Sequence, residues 1–191
     1  MNFTDPTFLL NLTIFLPLAG ILVILALRRP EAARWVALSV TSLTFIASLP
    51  LLAAFDIAAS DTPQFITQGT PILPDIDVKY LVGLDGLSIL LYMLTTLFGP
   101  IVILSSWESV KKGVVGYYSM LLLLQTASLG VFASLDLVVF YIFFELSLIP
   151  MYFLIGIWGG AGRIQATLKF FIYTLAGSLI MLVGLIYLGY D

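Results

Sequence analysis

The sequence predicts an all-α integral membrane protein of six transmembrane helices, with the N-terminus and the C-terminus on the outer (periplasmic) side. Three observations carry that reading. The chain has 191 residues, of which 61% are hydrophobic and 10% charged, and its mean hydropathy is +1.11, far above that of a water-soluble domain. Its apolar residues collect into six runs, each near the roughly 20 residues that carry a helix across a ~30 Å hydrocarbon core. None of the runs alternates as a barrel strand does, so the backbone satisfies its own polar groups as helix.

The first span covers Phe8 to Leu27. Its leading segment "MNFTDPT" has no Lys or Arg, its core outlasts a signal peptide, and a second span follows at once, Ala32 to Phe55, so it is a membrane helix rather than a leader. The only long connection, Asp56 to Val82, contains Pro63, Pro71 and Pro74. It is expected to be a surface cover or a subunit contact. It divides the chain into residues 1–82, with two helices and this outer loop, and residues 83–191, with the remaining four.

The third span runs from Gly83 to Trp107, the fourth from Val114 to Ser134, the fifth from Leu135 to Trp158 and the sixth from Ile164 to Gly189. Asp85 in "VGLDGLS" and Asp136 in "SLDLV" lie near helix starts, where a carboxylate caps free amides and complements the dipole. Phe140, Tyr141, Phe143 and Phe144 read as packing and lipid-facing groups. The spacing of Gly156 and Gly160 falls at a helix end and reads as turn chemistry.

Basic residues set the orientation. Arg28, Arg29 and Arg34 flank the first connection, Lys111 and Lys112 lie in the third and Arg163 in the fifth, whereas the second holds Lys79 and the fourth none. By the positive-inside rule the odd connections are cytoplasmic. Trp35, Trp107 and Trp158 each fall at the cytoplasmic end of a span, where an interfacial aromatic belt places them. Asp5, Asp56, Asp61, Asp75, Asp77, Asp85, Asp136 and Asp191 fall on the far side.

Composition also excludes chemistry. With no cysteine and no histidine, the chain has no disulfides, thiolate or histidine metal sites, and no Ser-His or Cys-His nucleophile. A net charge of −3 without a basic stripe gives nucleic acid nothing to bind. Carboxyl, amine, hydroxyl and amide groups remain.

Among these, Glu145 stands out, as the only charged side chain between Val138 and Trp158. An acid at a helix centre costs roughly 2.5 to 3.5 kcal/mol on insertion scales, and intramembrane acids normally face a bundle interior and take part in ion or proton movement. The alternative is a protonated, purely structural acid hydrogen-bonded to a neighbouring helix. Five residues on, Pro150 cannot donate to the carbonyl of Leu146, which frees an acceptor beside the acid.

At 1.5 Å per residue Glu145 lies roughly 20 Å from the cytoplasmic end of its helix and Lys169 about 8 Å from that of the next, so a direct ion pair is not assumed. Lys169 is a candidate for proton transfer or charge partnership, with snorkelling to the inner surface as the alternative. Gln125, Ser128, Ser147, Thr174 and Ser178 come out roughly 15 to 21 Å from the same surface and form a polar layer with Glu145. That layer fits a hydrated mid-membrane path, or interhelical glue.

The stretches "VGLDGLS" (Val82 to Ser88), "DLVVFYIFFELSLIPMYFLIGIWGG" (Asp136 to Gly160) and "RIQATLKFFIYTLAGSLIML" (Arg163 to Leu182) closely resemble the antiporter-like subunits of respiratory NADH:quinone oxidoreductase, complex I, and most of all those of the chain M or subunit 4 type. The resemblance implies the N-terminal portion of a larger antiporter-like helical bundle built on two inverted repeats. It matches Glu145 to a fifth-helix glutamate that partners a lysine on the seventh helix, and Lys169 to a lysine on the sixth. It further implies a bacterial inner membrane location and a membrane-arm role in proton translocation, with other membrane-arm subunits and the lipid bilayer as partners. NADH, FMN, iron–sulfur clusters and quinone are then expected on other subunits, and no cofactor or metal on this chain. The alternatives are a subunit of a multisubunit Na+(K+)/H+ antiporter, or a chain with only a structural or assembly role.

Overall fold

The computed structural model of the chain describes residues 5–67, 69–73 and 78–190; Pro74, Asp75, Asp77 and Asp191, placed by sequence on the outer side, lie outside them. Among the described residues six helices are long and apolar enough to cross a membrane. They are α1 (Pro6–Leu27), α2 (Pro30–Ala54), α3 (Ser88–Ser105), α4 (Val114–Ala133), α5 (Leu137–Trp158) and α6 (Arg163–Tyr190).

Local chemistry fixes most of their ends. Asp5 caps α1 by accepting from the Thr7 N–H, and Pro6 supplies a first-turn residue with no N–H to satisfy. Arg28 ends α1 in the left-handed region at φ 52°, its N–H bonded to the Ile24 carbonyl, so two residues suffice to turn the chain into α2. Asp136 caps α5 through the Val138 and Val139 amides, which moves the start of α5 to Leu137 from the expected Leu135.

The start of α3 moves further, from the expected Gly83 to Ser88. Residues 82–84 are extended instead: Gln64 bridges Leu84 and Val82 bridges Ser134. Asp85 then folds back, its Oδ1 accepting from the Leu87 and Ser88 amides at 3.1 and 2.7 Å. Those bonds, the Ser88 amide foremost, hold the Asp85 carboxyl below its ordinary pKa.

The all-α bundle stands as expected, and the long connection between α2 and α3 adds secondary structure of its own. It holds a 3-10 turn at Ile57–Ala59 and a small antiparallel hairpin of β1 (Thr70–Leu73) and β2 (Val78–Tyr80), with Thr70 opposite Tyr80 and an irregularity between Pro71 and Leu73. Two short strands, one carrying a proline, have too little alternation to be read from sequence. Tyr80 ties the hairpin to α1 by donating to Asn11 Oδ1 at 3.0 Å. Burial pushes its phenol up to about 12, so it remains a donor. Val82 and Leu84 are fully buried in one core cluster with Leu10, Ile14 and Tyr92, so this segment covers the ends of the helices beneath it.

A second core cluster, with Ile24, Ala37, Ile103, Tyr118 and Leu122, lies toward the opposite end. There Trp35 meets Trp107 edge-on at 5.1 Å, Trp158 donates to the Lys112 carbonyl at 2.8 Å, and Arg34 donates to the Val110 carbonyl at 3.0 Å. Hydrogen bonds between side chains cross the bundle as well: Thr13 to Tyr92 at 2.6 Å joins α1 to α3, and Ser48 to Thr96 at 3.1 Å joins α2 to α3.

Helices α1 to α4 pack together, α5 packs on α4, and α6 packs on α5. Gly130 lets α5 come close, because a side chain there would overlap the Phe143 ring. Much of α6 remains uncovered, with Tyr173, Ile180 and Tyr187 each at least 70% exposed.

Candidate functional site

The register of α5 against its neighbours follows from a few contacts. Gly156 lies beside Thr167 and the rings of Tyr152 and Phe171 meet at 5.3 Å. This antiparallel pairing brings Glu145 level with Ser178. On the other side, Trp158 covers Gly116 and Phe143 covers Gly130, which brings Glu145 level with Ser128. Counted along its own helix, Glu145 is roughly 12 Å from Leu137 and roughly 20 Å from Trp158.

Level does not mean adjacent. Ser178 is 3% exposed on the face of α6 that packs against α5, and its hydroxyl donates to the Leu175 carbonyl at 2.9 Å. Tyr141, one turn before Glu145 and so on the same face of α5, interacts with both the Glu145 carboxyl and the Ser178 hydroxyl. Tyr141, Glu145 and Ser178 therefore form a polar cluster across the α5–α6 contact. Tyr141 thus adds a polar interaction to the packing and lipid-facing role read from its aromatic neighbours. Its spacing of four residues from the acid was the available signal.

Within this cluster the acid is incompletely satisfied. Glu145 Oε1 is buried and has no hydrogen-bond partner. Ser147 and Thr174 do not supply one, since each donates to its own helix, to the Phe144 carbonyl at 2.6 Å and the Phe170 carbonyl at 2.7 Å. Pro150 is buried inside α5 and leaves the Leu146 carbonyl without its helical donor.

Lys169 stands apart from this group. The buried or half-buried positions of α6 at Thr167, Phe171, Thr174 and Ser178 mark its α5-facing side, and Lys169, about 200° round the helix from Thr167, is on the opposite side. It is exposed, and the α5–α6 register sets it about 14 Å in depth from Glu145. Among the described residues no ion pair joins the two.

Gln125 and Ser128 share the depth of the cluster but open elsewhere. Together with Thr41, Thr95, Phe98 and Gly99 they line a cavity of about 210 Å³ between α2, α3 and α4, to which neither α5 nor α6 contributes. Gln125 is 7% exposed, and neither its Nε2 nor its Oε1 has a partner. The expected polar layer thus resolves into two groups on different faces of α4. Thr126 and Ser119, fully or nearly buried on α4 with unpartnered hydroxyls, were not singled out by sequence, where a lone helical hydroxyl is indistinguishable from glue.

Residues 134–190, which hold α5, α6 and the whole Tyr141–Glu145–Ser178 cluster, match the family described as NADH:quinone oxidoreductase/Mrp antiporter, TM. Over 184 residues the chain is 46% identical to NADH-quinone oxidoreductase subunit M of Rhodobacter capsulatus, covering 93% of this chain and 35% of that one. Over nearly its whole length the chain is thus similar to the M-type, antiporter-like subunits of NADH:quinone oxidoreductases. Two further relatives widen the picture. F(420)H(2) dehydrogenase subunit M of Methanosarcina mazei is 40% identical over 142 residues, 74% of this chain and 29% of that one. NADH-ubiquinone oxidoreductase chain 4 of Mycosarcoma maydis is 35% identical over 190 residues, 96% of this chain and 38% of that one. The chain thus spans about a third of the length of the curated relatives it matches.

Its fold also matches a chain of the membrane-bound sulfane sulfur reductase, an archaeal respiratory membrane complex, with a TM-score of 0.74 at 20% identity, covering 92% of this chain and 27% of that one. The six-helix arrangement is therefore a fold shared with that chain at low sequence identity.

Proposed function

We propose that the chain works in the membrane arm of a proton-translocating NADH:quinone oxidoreductase, with Glu145 as a group that takes up and releases a proton in mid-membrane. One observation carries this reading: a carboxyl near the middle of a membrane-spanning helix keeps a buried oxygen unpartnered. A purely structural acid would be expected to complete its hydrogen bonds, because an unsatisfied buried acceptor costs about 1 to 3 kcal/mol. An acid that must alternate between charged and neutral forms needs an oxygen left open to a mobile proton or water.

In this account Tyr141 holds the carboxyl from one side and links it to Ser178. Carboxylate plus proton gives carboxylic acid, and the reverse step returns the proton. Lys169 carries its charge on the far side of α6 and acts along that outer face rather than by pairing with Glu145. Redox energy enters from other subunits, which hold NADH, FMN, iron–sulfur clusters and quinone. An M-type relative in a complex named for F(420)H(2) supports placing the electron donor's chemistry outside this chain. Arg28, Arg29, Arg34, Lys111, Lys112, Arg163 and all three tryptophans sit at one end of the bundle, with Lys79 at the other, a balance that supports the cytoplasm at the first end and both described ends of the chain on the outer side of a bacterial inner membrane.

In the intact complex, Glu145→Gln is expected to reduce NADH-driven proton pumping at least tenfold, with the complex assembled and NADH oxidation by an artificial acceptor retained. Pumping at the wild-type level would refute the role. The family description also names the Mrp antiporters, which favours one second reading, cation/proton exchange. Vesicles holding the full assembly would then exchange Na+ or K+ for protons without NADH.

A further inference from the structure

The cavity between α2, α3 and α4 stands apart from the Glu145 cluster and from the residues 134–190 that match the family. Gln125 lies roughly 16 Å along α4 from Val114 and roughly 12 Å from Ala133, in the middle of the span. Its amide is 93% buried by exposure, and both its donor and its acceptor lack a partner. Gly99 makes room for that amide, since a Cβ there would lie 2.6 Å from Nε2.

The mouth of the cavity faces sideways. Phe98 and Val102, on its rim, are 50% and 39% exposed, and at this depth their surroundings are hydrocarbon rather than water. No lining residue is charged, so the cavity selects against ions. At about 210 Å³ it exceeds the roughly 150 Å³ apolar cavity that accepts benzene.

We infer that this cavity is a binding site for an uncharged amide- or lactam-type amphiphile that enters from the lipid phase. A primary amide offers one acceptor and two donors, and a second amide meets it with a paired N–H and C=O on adjacent atoms. The apolar remainder of the ligand fills the space beside Phe98, Leu124 and Ile103.

The test uses the chain in lipid nanodiscs and two fluorinated probes of similar shape, 4-fluorobenzamide and 4-fluorotoluene, titrated by fluorine NMR. In the wild type 4-fluorobenzamide is expected to bind saturably with a Kd at least about tenfold below that of 4-fluorotoluene, the preference two hydrogen bonds provide. Gln125→Leu is expected to abolish that preference. Gly99→Ala, which pushes the amide into the cavity, is expected to weaken both probes and reads out the same site should the leucine variant fail to fold. Equal affinities for the two probes, unchanged 4-fluorobenzamide binding in either variant, or no saturable binding would overturn the assignment.

Discussion

Glu145 and Tyr141 occupy successive turns of α5, and their pairing sets what single substitutions do. Tyr141→Phe keeps the ring and removes the hydroxyl that reaches Glu145 and Ser178. It is expected to shift the pH dependence of NADH-driven proton pumping without loss of assembled complex, whereas a ring that only packs would leave the profile unchanged. A contrasting residue is Tyr92, fully buried and bonded to Thr13 at 2.6 Å. Tyr92→Phe strands the Thr13 hydroxyl only in part, because Thr13 also donates to its own helix, so a loss of about 1 kcal/mol in thermal or denaturant stability is expected, with pumping intact. The acid itself was legible in the sequence because one charge in an apolar run is conspicuous. The spacing of Tyr141 from the acid was readable too, but its contact with Ser178 was not, because it depends on how α6 packs against α5.

Contacts between elements depend on small groups. Gly130 is a point of close approach between α4 and α5, and Gly130→Val would drive a branched side chain into the Phe143 ring. Overpacking of this kind typically costs about 1 to 3 kcal/mol. The expected outcome is a lower melting temperature together with reduced pumping, because Phe143 is two residues from Glu145. The start of α3 is the acid-sensitive joint outside the membrane. Its Asp85 carboxyl titrates below its ordinary value because the Ser88 and Leu87 amides favour the charged form. The stabilisation is complete above the unfolded pKa of about 3.9 and is lost as pH falls through the lower folded value. Hydrogen exchange in the first turn of α3 is therefore expected to quicken below about pH 4 and to lose that pH response in Asp85→Asn.

Helix positions were readable from hydropathy because backbone satisfaction in lipid leaves few options. The hairpin of the long connection was not, because its placement depends on contacts with α1 and α5 rather than on a local pattern. Depth was legible too: residue counting put Glu145, Ser128 and Ser178 at one level, where the helix contacts also set them. Azimuth was not legible, and it is azimuth that separates Gln125 and Ser128 from the acid and turns Lys169 away from it.

At the scale of the whole molecule, charge and aromatic residues divide the bundle into two unlike ends, while α6 presents an apolar surface over most of its length. Both features suit a chain that works among other membrane helices, and they place the Tyr141–Glu145–Ser178 cluster one helix in from that surface. The most direct measurement is infrared difference spectroscopy of the intact complex, comparing resting and NADH-energised states in the carboxyl C=O region. The account predicts a band that changes on energisation in the wild type and is absent in Glu145→Gln. The same difference spectrum in both would mean that this carboxyl does not change protonation in turnover, and would contradict the account.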